Sequence, residues 1–127
     1  MSIEAAIFSL LGPLVSNRCY PDTTPDAPVF PLIVYQIVGG QAYEYLARKL
    51  PDCENYRVQV WCWWKDEDGV AVRDEVGALA LQVRQKIIEQ GAAFVSAQTI
   101  GQGISQYEEA LKLYGIQQDY SVWLKVR

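Results

Sequence analysis

A chain of 127 residues is the size of one compact domain. With half of them hydrophobic and 20% charged, it has the balance of a globular protein and not of a disordered or fibrous one. Eleven Lys and Arg against fifteen Asp and Glu leave a formal charge of −4 without a basic cluster, which argues against phosphate-led nucleic-acid binding. No apolar run reaches the ~18 residues of a membrane helix, the early acid Glu4 without a basic partner is unlike a secretory signal, and three scattered cysteines form no disulfide framework.

Ser2 suits an N-cap and Glu4 a first helical turn, so a short amphipathic helix is expected. Ile3, Ala6, Ile7, Leu10, Leu11 and Leu14 recur at helical spacing, and Gly12-Pro13 ends or bends the helix. Residues 17–31 hold Pro21, Asp22, Thr23, Thr24, Pro25, Asp26 and Pro28, turn formers that predict an extended loop. Residues 32–38 read as a strand with Val34, Gln36 and Val38 on one side and Ile33, Tyr35 and Ile37 on the other, stopped by Gly39-Gly40. Residues 41–54 have weak periodicity and predict a long projecting loop or a frayed hairpin arm.

The clearest strand is 56–64. Tyr56, Val58, Val60, Cys62 and Trp64 form its core row, and Arg57, Gln59, Trp61 and Trp63 face the other way. Residues 65–69 supply a turn and an Asp N-cap. Val72, Val76, Leu79, Ala80, Val83 and Ile87 then mark the principal helix, with Gly91 at its C′ position. A strand over 94–100 ends at Gly101-Gln102-Gly103, and a last one over 120–126 turns Tyr120, Val122, Leu124 and Val126 inward. Between them, residues 108–113 fit one helical turn, while 113–118 equally fit a long arm leading into the last strand. The order helix, strand, strand, helix, strand, strand predicts an α+β fold. It comprises a mostly antiparallel sheet of about four or five strands packed against two helices, one domain over 1–127.

Catalytic chemistry is poorly provided for. The chain has no histidine, which removes the commonest general base near neutral pH, the commonest ligand of catalytic zinc and the usual activator of a cysteine nucleophile. Cys62, in a strand, reads as a buried thiol. Asp66, Glu67 and Asp68 read as a solvated turn with an N-cap and not as a metal site, and Glu108 and Glu109 as a solvated face. Gly101-Gln102-Gly103 continues to Gln106 where a dinucleotide fingerprint needs a third small residue, so it reads as a turn. No catalytic, cofactor or metal residue is assigned.

The aromatic residues carry more information. Trp61, Trp63 and Trp123 fall on strand faces opposite the core rows, beside Arg57, Gln59 and Lys125. Either a loop or helix of the same chain covers these indoles, or they form a subunit interface, where Trp, Tyr and Arg are enriched. Tyr43, Tyr45, Arg48 and Lys49 make the 41–54 loop the second candidate contact.

Several segments, taken in order, carry a resemblance. They are the opening helix from Ile3 to Leu11, Arg18-Cys19-Tyr20-Pro21 with its proline-rich loop, and Pro31-Leu32-Ile33-Val34-Tyr35-Gln36. Tyr56-Arg57-Val58-Gln59-Val60-Trp61-Cys62-Trp63 precedes a long helix, and Asp119-Tyr120-Ser121-Val122-Trp123 closes the chain. Nearly end to end, the chain resembles the tail-terminator and tail-completion proteins, small ring-forming head-tail joining proteins of tailed phages and prophages. The resemblance implies a structural virion protein with no enzyme activity and no cofactor. It implies a ring, typically hexameric, that caps the tail tube, ends its polymerisation and joins it to the head connector. The implied partners are copies of the chain itself, the major tail-tube protein and the head-tail connector protein. DNA would pass through the ring without sequence-specific contact, and assembly would occur in the host cytoplasm. A neck protein is the alternative within the same machinery; a small-molecule-binding regulatory domain is the alternative from another class.

Overall fold

The computed structural model describes residues 2–66 and 72–127. It contains α1 (Ile3–Leu11), a 3-10 turn (Gly12–Val15), β1 (Cys19–Pro21), β2 (Leu32–Ile37), β3 (Cys53–Lys65), α2 (Arg73–Glu89), β4 (Phe94–Glu108) and β5 (Leu113–Lys125). The five strands form one sheet in the order β1-β2-β3-β5-β4, antiparallel except for the β1–β2 pair. This is the α+β fold expected from the alternation of periods.

Ser2 caps α1 as its sequence position suggests, its hydroxyl accepting the Ala5 N–H at 3.0 Å. Pro13 allows the chain to tighten into the 3-10 turn, whose end is marked by Ser16 and Asn17 at positive φ. In α2, Val76, Leu79, Val83 and Ile87 are buried, and Gly91 follows the C-cap Gln90. The aspartate N-cap is corrected: Val72 occupies the N-cap position, and Asp66 reaches forward to accept the Val72 N–H at 3.2 Å. Asp68, also a candidate, lies outside the described residues.

Both helices pack on one face of the sheet. Ile7 and Leu11 of α1 and the buried row of α2 enclose Ile33 and Tyr35 of β2, Val58, Val60 and Cys62 of β3, and Tyr120, Val122 and Leu124 of β5. The Tyr120 hydroxyl is buried with no partner among the described residues, and desolvation pushes its phenol above the ordinary tyrosine range. Removing an unpaired hydroxyl removes a desolvation cost, so Tyr120→Phe should leave stability unchanged or raise it by up to about 1–2 kcal/mol. A clear loss in a urea melt would show that the hydroxyl is bonded after all.

Three expectations are corrected in the strands. β1 lies inside the segment read as irregular loop, because three residues suffice to pair with β2. β3 begins at Cys53, three residues earlier than periodicity indicated, since all thirteen of its residues pair with β5. Most consequentially, Gly101-Gln102-Gly103 does not end a strand. β4 continues through it to Glu108 with a register shift between Ile100 and Ile104. Gly101 takes φ +68°, and the Gln118 amide donates to the Ile100 and Gly101 carbonyls at 3.0 Å each, satisfying acceptors that the bulge removes from the ladder. The open choice at 104–116 resolves as the arm, with β4 and β5 forming one long hairpin. Its turn is held by the Glu108 carboxylate accepting the Leu111 N–H at 2.7 Å, with Lys112 at φ 56°.

Candidate functional site

The outer face of the sheet, opposite the helices, carries most of the residues singled out in the sequence. Alternation puts Asn55, Arg57, Gln59, Trp61, Trp63 and Lys65 of β3 there. Directly opposed pairing adds Trp123, Ser121, Asp119, Gln117, Gly115 and Leu113 of β5, with Leu32 and Val34 of β2 on the other side of β3.

The three indoles do not form one patch. Trp61 and Trp63 stack at 5.3 Å between centroids with 7° between planes, near the end of β3. Trp123 pairs with Asn55, near the opposite end of β3. Period-two alternation assigns a face but not a position along the strand, and the antiparallel register separates Trp123 from the pair. Its neighbour is Tyr43, 5.9 Å away and tilted, from the loop between β2 and β3.

The stacked pair is partly covered by its own chain. The proline-rich loop brings Thr24, Pro28 and Phe30 to the wall of a cleft shared with Trp63, while Asp22 and Thr23 line a shallower one with Trp61. Leu32 is fully buried and Val34 is 8% exposed beneath this cover, so the outer face has a small apolar centre of its own. Gly115 makes the packing possible, because a Cβ there would overlap the Trp63 ring. Trp61 and Trp63 are of intermediate burial beside this loop.

Between the two aromatic ends lies a polar band. Arg57 donates through Nε and Nη2 to Asp119 Oδ2 at 3.0 and 2.8 Å. At 48% exposure for the arginine side chain, the pair contributes at most about 1 kcal/mol. Asn55, 8% exposed, is the post of the other end: its Oδ1 accepts the Gln41 N–H at 2.9 Å, and its Nδ2 donates to Ser121 Oγ and the Val122 carbonyl. Beyond Gln41 the loop stands in solvent, with residues 41–50 all exposed, including Tyr45, Arg48 and Lys49 at its tight turn.

Of the eight residues singled out, the fold thus unites Trp61 with Trp63 and Tyr43 with Trp123. It places Arg57 between these pairs and groups Tyr45, Arg48 and Lys49 at the loop apex. Sequence reasoning missed Phe30, Leu111 and Leu113, whose apolar side chains reach the Trp63 end only through tertiary folding, and Leu46 at the loop apex. An exposed leucine beside two cations was the available signal for the last.

Metal and thiol chemistry find little support. No cluster of three metal-ligating side chains exists among the described residues; Glu67 and Asp68 lie outside them. Desolvation holds the Cys19 and Cys62 thiols up at about 12, against an ordinary 9.0. Both stay protonated near neutral pH, as befits buried structural cysteines. A folded value above the unfolded one means that the stabilisation is complete below pH 9 and is lost as pH rises toward 12, where the unfolded thiols ionise first. Half-exposed Cys53 should accordingly be the thiol that alkylates in the native protein at neutral pH, with Cys19 and Cys62 reacting only on unfolding; equal labelling of all three, read by mass spectrometry, would contradict this.

No helix among the described residues is long and apolar enough to cross a membrane. A family model described as tail completion protein gp17 matches residues 3–125. Among solved structures, a chain from the virion of a native gene transfer agent particle is similar with a TM-score of 0.63, covering 98% of this chain and 96% of that one at 12% identity, a likeness of fold. None of the curated proteins matches the chain.

Proposed function

Because the chain belongs to the tail completion protein gp17 family, a family of structural proteins of phage tails, we propose that it closes the tail tube: it caps the tube, ends its polymerisation and joins it to the head connector. The family match over nearly the whole chain carries this reading. The geometry agrees with it, since the outer face offers packed aromatics, a polar band and a projecting loop.

Closing a tube calls for copies arranged as a ring, hexameric by the resemblance noted above, in which each subunit presents two different patches to its neighbours. The Trp61–Trp63 end, Arg57 in the band between the two ends, and the loop carrying Tyr43, Tyr45, Arg48 and Lys49 over Trp123 are the proposed contact surfaces for neighbouring copies, tube protein and connector. An acidic chain suits a ring that DNA crosses without being held. Assembly would take place in the host cytoplasm before incorporation into the virion.

The test is the sedimentation mass of the purified protein, alone and with polymerising tail-tube protein. The expected result is a defined oligomer that binds tube ends and arrests their growth. A protein that remains a monomer in both mixtures and leaves tube length unchanged would sink the proposal. Binding to the connector alone would instead assign it to the neck.

A further inference from the structure

Leu46 stands at the apex of the turn in the β2–β3 loop, which is closed by the Tyr45 N–H on the Lys49 carbonyl at 3.0 Å and the Arg48 N–H on the Tyr45 carbonyl at 2.9 Å. At 107% exposure, it is covered by none of the described residues. A large apolar side chain held out by a hydrogen-bonded turn gains its burial only from another molecule.

The other end of the outer face has the complementary shape. Pro28, Phe30, Trp63, Lys65, Leu111 and Leu113 line a cleft of about 400 Å³, largely apolar and large enough for a leucine side chain. Arg48 and Lys49 follow Leu46 in the same turn, with Glu44 the one acid in residues 41–50. Lys65 is the charged residue in the cleft lining, and two acids adjoin it: Asp66 follows Lys65, its N–H on the Lys112 carbonyl, and the Glu108 carboxylate accepts the Leu111 N–H.

Loop and cleft cannot satisfy each other within one chain. Gln41 is tied to Asn55, and Trp63 lies eight residues further along β3, about 26 Å away at ~3.3 Å per residue. Resting on the self-assembly reading above, we propose that Leu46 of one copy inserts into the Pro28–Phe30–Trp63–Leu111–Leu113 cleft of the next, with Arg48 and Lys49 toward Asp66 and Glu108 beside it. Such a contact is head-to-tail. Each copy uses its loop on one side and its cleft on the other, the arrangement from which a rotation generates a ring.

The test compares wild type, Leu46→Asn, Leu111→Asn and an equimolar mixture of the two variants by sedimentation. Both positions are exposed, and neither substitution changes charge. Each variant should associate about ten- to a hundredfold more weakly than wild type, the effect of losing one buried leucine. At a concentration where each variant is monomeric, the mixture should form a two-chain complex and nothing larger, because one intact loop then meets one intact cleft. Variants that keep the wild-type mass, or a mixture that stays monomeric, would overturn the pairing while leaving self-assembly standing. A wild type that never associates would remove the self-assembly reading itself. Loss of tube binding by Leu46→Asn with unchanged self-association would assign the loop to the tube protein and also overturn the pairing.

Discussion

Gly115→Val should lower stability by about 2–4 kcal/mol and shift tryptophan emission to the red, because the new side chain occupies the space of the Trp63 ring. Trp63 would leave its stack on Trp61, losing a pair interaction of about 0.5–1.5 kcal/mol beyond the area it buries, and the cleft would lose its floor. A double-mutant cycle separates this from a general effect on β5. In a Trp63→Leu background the smaller side chain leaves room, so Gly115→Val should cost at least about 1 kcal/mol less there than in wild type. Additive costs, or an unchanged emission spectrum, would mean that the indole does not rest on Gly115.

Removing the apex of the β2–β3 loop should have the opposite profile. Replacing residues 45–49 with a short Gly-Ser link deletes only exposed positions and spares the Gln41–Asn55 and Tyr43–Trp123 anchors. Surface changes of this kind fall within about 0.5 kcal/mol, so the thermal melt should be nearly unchanged. Joining of tails to heads, counted by electron microscopy, should be abolished. Normal particles from this variant would remove the loop from the assembly surface.

Much of the fold was legible because the burial pattern is regular where the chain packs on one side. Val58, Val60 and Cys62 alternate, Val76, Leu79, Val83 and Ile87 recur at helical spacing, and both periods reappear in the structure. The hairpin was not legible for a definite reason. From 101 to 107 both faces of β4 are exposed, so no alternation marks the strand, and the glycines that signal a stop act there as a bulge. The site was legible by face and not by position. Trp61, Trp63 and Trp123 do share a side of the sheet, but only the β3–β5 register tells that Trp123 belongs with Tyr43. The cleft escaped altogether, since Phe30, Trp63 and Leu113 are brought together across more than eighty positions of sequence by the folded chain.

The two irregularities in β4 have different parity. Between Phe94 and Ser96 the strand advances two residues while β5 advances one, which exchanges inward and outward positions. Between Ile100 and Ile104 it advances four against two, which leaves them as they were. The tip of the arm is thereby buffered against changes in length made in pairs: losing two residues at 101–103 would straighten the strand and still present Ile104 and Gln106 to the same side. Losing one would turn the arm inside out, directing Tyr107 away from Tyr114 and Ile104 toward the helices. Natural variation in this stretch should therefore come in even steps.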